Sequence, residues 1–125
     1  TYLGTNESGA IDDTDVREKV IDMNMNRLAF RLTAQRANEE NKSGTPGVST
    51  SIFKLFGAAL QQDGAELKRE IMGFKGLGAT DGEGFSTEEL TATEEWLHTK
   101  ATTIYGGSNE IQANIISKRV LGLPD

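Results

Sequence analysis

From Asp13 to Asn41 the chain runs without a glycine or a proline, while its apolar residues return every three or four positions. That spacing gathers side chains on one side of an α-helix and scatters them on a strand. Val16, Val20, Met23, Phe30, Ala34 and Ala37 form one stripe, and Ile21, Met25, Leu28 and Leu32 form an adjacent one. Together they make an apolar face wider than a lone surface helix needs. A long helix with so much to cover calls for other helices around it. Asp12, Asp13 or Thr14 can cap its start, and "NKSGTPG", with Gly44 and Pro46, ends it.

The remaining punctuation predicts three more helices. The second begins at about Pro46 or Val48 and reaches Met72, with Thr45 as cap and Pro46 at the first helical position, where its missing N–H costs nothing. Ile52, Phe56, Leu60, Leu67 and Ile71 are its expected inward stripe, with Leu55 and Ala59 beside them. Gly57 and Gly64 weaken it by roughly 1 kcal/mol each relative to alanine, so small residues there are expected to let another backbone come close. Residues 73–85, "GFKGLGATDGEGF", hold five glycines and read as a loop longer than a helix-helix turn needs. Ser86 and Glu89 have the spacing of a capping box and open the third helix. Leu90, Leu97, Ala101 and Ile104 are expected to face inward, with Trp96 nearby. Gly106-Gly107 ends it, and Ser108 starts the fourth, whose apolar face is Ile111, Ile115 and Ile116, with Val120 a turn later. Lys118 and Arg119 suit the last turn electrostatically, and Gly122 and Pro124 stop it. The pattern holds no convincing strand and no internal repeat. It predicts an all-α fold, a four-helix up-down bundle over residues 13–125, with 1–12 as a linker or frayed end.

Composition removes several kinds of chemistry. The 125 residues include no cysteine, which excludes disulfides, zinc-thiolate sites and thiol catalysis, and fits a reducing, cytoplasmic setting. The 19 acidic and 13 basic residues leave a net charge of −6, which argues against non-specific binding to nucleic acid or anionic membranes. No apolar run is long enough for a transmembrane helix, and no signal peptide is visible. The chain opens on Thr1 and a loop-like "TYLGTNESGAIDD". The expectation is a piece of a longer protein, with part of its active site elsewhere.

Few residues point to chemistry by themselves. His98, the only histidine, sits among polar residues and has no imidazole partner for a metal. The paired acids Asp12-Asp13, Glu39-Glu40, Glu88-Glu89 and Glu94-Glu95 read as helix ends or solvated faces. Trp96 and Tyr105 can stack on a ligand, although one aromatic per helix is more often core. The glycine loop has neither the Lys-Ser/Thr of a Walker motif nor the strand that precedes a dinucleotide fingerprint, so a flexible connector is the plainer reading. "YGGSNEIQ", Tyr105 to Gln112, leaves two readings open. It is a tight turn with a capping serine, or a helix start whose free amides take a polar ligand group approached across glycine.

The carboxyl segment "TTIYGGSNEIQANIISKRVLGLP", Thr102 to Pro124, resembles the terminal signature of acyl-CoA dehydrogenases: Ile-Tyr-x-Gly-Ser/Thr-x-Glu-Ile-Gln, an Ile-rich helix, then Arg-Val-Leu-Gly-Leu-Pro. "STSIFKLFGAALQQDGAEL" and "GFKGLGA…GFSTEELTATEEWLHTKA" are similar to upstream parts of the same domain in bacterial members. The resemblance is strong at the end and weaker toward Thr1. It implies a carboxyl-terminal helical bundle of a larger flavoenzyme, here without its first helix. FAD would be the cofactor, an acyl-CoA thioester the substrate, and electron-transfer flavoprotein the electron acceptor. Transferred by position, the Gly106 N–H would bond the thioester carbonyl oxygen, with Tyr105 and Gly107 beside it. Ser108 and Glu110 would touch FAD, and Gly76 and Gly78 would meet the FAD of a neighbouring subunit.

Two departures follow from the same comparison. Many members place a glutamate base between the tyrosine and the glycine, where this chain has Gly106; others carry the base on the missing helix. No catalytic residue is therefore expected within these residues. The family's glutamine before the glycine loop falls at Met72, and the first glycine of that loop at Lys75. The expectation is an enzyme whose base lies upstream. The alternatives are an inactive partner subunit of a heteromeric dehydrogenase and a non-catalytic helical interaction module. In each case the exposed first helix should drive association, as a homo- or hetero-oligomer.

Overall fold

The computed structural model describes residues 2–42, 50–79 and 84–124. Four α-helices follow one another: α1 (Thr14–Lys42), α2 (Thr50–Met72), α3 (Thr87–Thr99) and α4 (Asn109–Ile115). A 3-10 turn, Gly73–Leu77, continues α2, and another, Lys100–Thr103, continues α3. A π-turn, Ile116–Val120, extends α4. The third helix is thus shorter as α-helix than the sequence pattern suggests, and its last residues tighten into 3-10 geometry before the glycine pair. The proposed start of the second helix, Thr45 to Val48, lies outside the described residues.

The helix starts are set by local chemistry. Asp13 caps α1, its Oδ1 accepting the Val16 N–H at 3.0 Å. At α3 both halves of the capping box are present: Glu89 N–H donates to Ser86 Oγ at 3.3 Å, and Ser86 N–H donates to the Glu89 carboxylate at 2.7 Å. Glu89 is buried rather than solvated. The Ser86 N–H holds its carboxyl below the ordinary range, with help from the Lys75 charge and against the opposing effect of burial. The segment before α1 is folded onto the domain. Asn6 Oδ1 accepts three bonds within its own turn, and the Tyr2 hydroxyl donates to Glu89 at 3.2 Å.

α2 is the central helix, packed against α1, α3 and α4, while α1 and α3 share no substantial contact. The buried apolar residues are small or slender: Val16, Met23 and Ala37 on α1, Ala58, Leu60 and Met72 on α2, Ala92 on α3. Gly57 and Gly64 make room not for a second backbone but for side chains of α1. A Cβ on Gly57 would lie 3.3 Å from the Phe30 ring, and one on Gly64 2.6 Å from the Arg27 guanidinium. Phe30 in turn meets Phe53 edge-on, with ring centroids 5.6 Å apart.

α2 and α3 are clasped around Trp96. Its indole N–H donates to Glu66, Arg69 lies over its ring at 3.8 Å from the centroid, and Lys100 at 4.6 Å. Lys68 pairs with Glu95 at 3.0 Å nearby. The second stripe of α1 stays open, with Ile21, Met25, Leu28 and Leu32 each about half exposed. Several residues expected to face inward also remain open: Ile52 and Phe56 on α2, Leu97 on α3, Ile104 after it and Ile111 on α4. Periodicity marks an apolar face without fixing what covers it, and the described helices leave these positions uncovered.

Candidate functional site

The region between α3 and α4 is built by successive carbonyl captures. Threonine hydroxyls take carbonyls of the preceding turn: Thr99 takes Trp96, Thr102 takes Thr99, and Thr103 takes Lys100. The Ile104 and Tyr105 N–H groups both return to the Ala101 carbonyl. Gly106 and Gly107 then adopt φ of +71° and +99°, a conformation that suits glycine. The chain reverses, and the Gly106 N–H donates to no protein acceptor among the described residues.

Two side chains hold this reversal from opposite sides. Lys54 on α2 donates to the Thr102 carbonyl at 2.6 Å. Gln112 on α4 is buried and donates to the Gly106 carbonyl at 3.1 Å. A Cβ on Gly107 would lie 2.7 Å from the Gln112 amide nitrogen, so a side chain there would push the clamp away. The sequence reading missed both clamps. Lys54 carried a signal, a single charged residue set in the apolar run "IFKLF"; Gln112, between Glu110 and Asn114, carried none.

Ser108 stands at the N-cap position with extended backbone but makes no capping bond. Its hydroxyl turns instead to Glu110 and holds that carboxyl below the ordinary range. Between them Asn109 carries a buried Oδ1 with no hydrogen-bond partner among the described residues. Burying such an acceptor is costly unless a donor arrives.

Tyr105 is exposed at the mouth of a cleft of about 440 Å³ that Lys54, Thr102, Phe30 and Phe53 also line. A second cleft of about 510 Å³ adjoins it and takes in His98. Both lie over α2 and reach Arg27 on α1; α3 lines only the second.

Gly76 and Gly78 are not part of this cluster. They precede α3, whereas Tyr105 to Glu110 follow it, and α3, with 13 residues, is about 20 Å long. Both glycines are buried. A Cβ on Gly76 would lie 2.7 Å from the Arg69 carbonyl oxygen, and one on Gly78 2.7 Å from the Phe85 ring. Packing of the turn against α2 and Phe85 accounts for the lack of side chains at both positions. Among the described residues no group of acidic or histidine side chains could hold a metal ion, and no helix is long and apolar enough to cross a membrane.

The family model described as "Acyl-CoA dehydrogenase, C-terminal domain" matches residues 3–121. The chain is 37% identical over 117 residues to acyl-CoA dehydrogenase IpdE1 of Mycolicibacterium smegmatis, covering 94% of this chain and 28% of that protein. It is 38% identical to acyl-CoA dehydrogenase IpdE1 of Mycobacterium tuberculosis, covering 94% of this chain and 29% of that protein. Acyl-CoA dehydrogenase FadE34 of the latter organism is 34% identical over 79 residues, 63% of this chain and 10% of that protein. No solved structure matches the chain. The chain spans less than a third of the IpdE1 relatives. Four helices, the glycine reversal at Gly106-Gly107 and the match over almost the whole length lead to one assignment: the chain belongs to the acyl-CoA dehydrogenase family, as its C-terminal domain.

Proposed function

We propose that the protein containing this domain removes hydrogen from the α and β carbons of an acyl-CoA thioester, with FAD as oxidant and electron-transfer flavoprotein as the onward acceptor. The observation that carries this reading is the Gly106 reversal. It is fixed at both ends by Lys54 and Gln112, and its N–H is given to no acceptor among the described residues. An amide fixed in this way can receive the thioester carbonyl oxygen. It then stabilises the charge that gathers on that oxygen as the α-proton leaves. Tyr105 and Gly107 flank it and would line the substrate. Gly106 has no side chain, so the proton must go to a base outside these residues.

The residues beside the turn fit FAD as one edge of its site. Asn109 Oδ1 is a buried acceptor in need of a donor, and FAD brings hydroxyl and N–H donors. Ser108 and Glu110 stand next to it. When bound, FAD supplies hydride acceptance from the β carbon. Gly76 and Gly78, at the far end of α3, would offer only backbone groups to a neighbouring subunit's FAD. The half-exposed stripe Ile21, Met25, Leu28 and Leu32 supports association as a homo- or hetero-oligomer. The bare Gly106 also favours a second reading, a partner subunit without chemistry of its own.

Full-length protein mixed with an acyl-CoA panel and an artificial electron acceptor tests the proposal. Reduction of the acceptor with at least one thioester is expected, and no reduction with any would sink it. The 125 residues alone are expected neither to turn over substrate nor to hold FAD. Tight FAD binding in a titration of this domain would contradict the shared-site part of the proposal.

A further inference from the structure

Helix ends leave carbonyls without intrahelical partners, and the Thr102 carbonyl, at the close of the turn that extends α3, is bonded by a side chain 48 residues away. Lys54 reaches it from α2 at 2.6 Å. The same side chain continues to the reversal: its Cε is 3.6 Å from where a Cβ on Gly106 would stand. Lys54 occupies a stretch of α2 otherwise made of Ile52, Phe53, Leu55 and Phe56. Placing an ammonium there is costly without a partner. The Thr102 carbonyl and the negative end of the α3 dipole offset that cost. Among the described residues no carboxylate pairs with Lys54. Its charge is therefore met by a carbonyl and a helix end rather than by a carboxylate, and it stands beside Gly106.

We propose that Lys54 is a positioning residue for the thioester site. It holds the Thr102–Gly106 turn so that the Gly106 N–H is presented in one place, and it keeps a positive charge next to that amide. The role rests on the reading that Gly106 receives the thioester carbonyl, and Lys54 itself touches no substrate.

The test compares full-length, FAD-loaded protein with its Lys54→Met and Lys54→Arg variants. Methionine keeps the stem and removes the donor and the charge, while arginine keeps both. Hydrogen exchange of the peptides covering residues 102–108 is expected to speed up by about tenfold or more in Lys54→Met, as for loss of a hydrogen bond to a charged group. It should stay within about twofold of the parent in Lys54→Arg, which still donates and stays charged. With an acyl-CoA substrate, kcat of Lys54→Met should fall by about tenfold or more, with KM changed by less than about twofold and FAD content unchanged. Wild-type exchange rates in Lys54→Met would overturn the proposal, as would equal loss of protection throughout α2 and α3. An unchanged kcat in a variant of an active parent would also overturn it. A parent inactive toward every acyl-CoA would defeat the thioester reading of Gly106, and with it the catalytic part of this role. The exchange rates would still decide whether Lys54 holds the turn.

Discussion

Gly76→Ala should be the most damaging single-methyl addition in the domain. The new Cβ would lie 2.7 Å from the Arg69 carbonyl oxygen, 3.0 Å from its Cα and 3.2 Å from its carbonyl carbon. All three atoms are backbone of α2 and cannot rotate aside, so the Gly73–Leu77 turn must lift. Overpacking of this kind costs about 1–3 kcal/mol. Lifting the turn also stretches the bonds that Arg69 and Thr93 make to the Gly76 carbonyl, at 2.8 and 3.3 Å. The first is a bond from a charged donor, worth about 1.5–3 kcal/mol. The two losses trade against each other, because movement that relieves the clash is what breaks the bonds. A net cost of about 2–4 kcal/mol follows. Unfolding entropy of roughly 2.1 cal/mol/K per residue over this chain turns that into a fall in Tm of about 8–15 °C. Gly64→Ala is the matched control. Its Cβ meets only the tip of Arg27, an exposed side chain that can swing away. Alanine also gains about 0.8–1 kcal/mol in a helix interior, so Tm should rise by about 2–4 °C. Thermal melts followed by circular dichroism decide the matter. If the two variants melt within about 3 °C of each other, the packing account of the glycines is wrong.

Two further outcomes can be checked on the same instrument. Trp96→Leu keeps apolar bulk but removes the Glu66 bond and the ring under Arg69 and Lys100. A loss of about 1–2 kcal/mol in urea unfolding is expected, and an unchanged midpoint would remove the clasp from the account. Glu66, Glu89 and Glu110 all have carboxyl pKa values held down by hydrogen bonds, from Trp96, Ser86 and Ser108 respectively. A depressed folded-state pKa adds stability that is present above the unfolded value and lost as pH falls through the folded one. Stability should therefore drop on acidification below about pH 4.5, the ordinary glutamate value. Glu89→Gln should flatten that limb of the Tm profile, and acid limbs that run parallel would count against Glu89 as a contributor.

Much of this architecture was legible because it is written locally. The spacing in Asp13 to Asn41 gives α1, and Ser86 with Glu89 gives the start of α3, since both signals act within a turn or two. What escaped depends on how the chain folds back on itself, over 48 residues for Lys54 and over 6 for Gln112. Nothing near Lys54 in sequence announces Thr102, and nothing near Gly106 announces Gln112 as the group that bonds its carbonyl. Leu97, Ile104 and Ile111 repeat like core residues yet stand exposed, because a repeat says which residues share a side and not which side is covered. The spacing of Gly76 and Gly78 suggests a flexible connector and does not say what the two glycines pack against. Their neighbours are Arg69 and Phe85, a distinction that only the folded turn makes. The family motif carried the reading of Tyr105 to Glu110 further than spacing could, since a capped turn and a ligand-facing turn have the same pattern.

The π-turn at Ile116–Val120 alters how the end of the domain should be counted. The Leu121 N–H bonds the Ile116 carbonyl and the Leu123 N–H bonds that of Ser117, each at 3.0 Å. The first closes a ring one residue larger than an α-turn, and the second one larger again. A turn with an extra residue advances each side chain through a smaller angle than an α-turn does, and here it is the last turn of the helix. Substitution maps read at the ordinary helical period will misassign sides after Ile116. Because the helix ends at Val120, a residue removed within this stretch would disturb no later helical turn, whereas the same deletion in α1 would rotate every later side chain of that helix away from its neighbours.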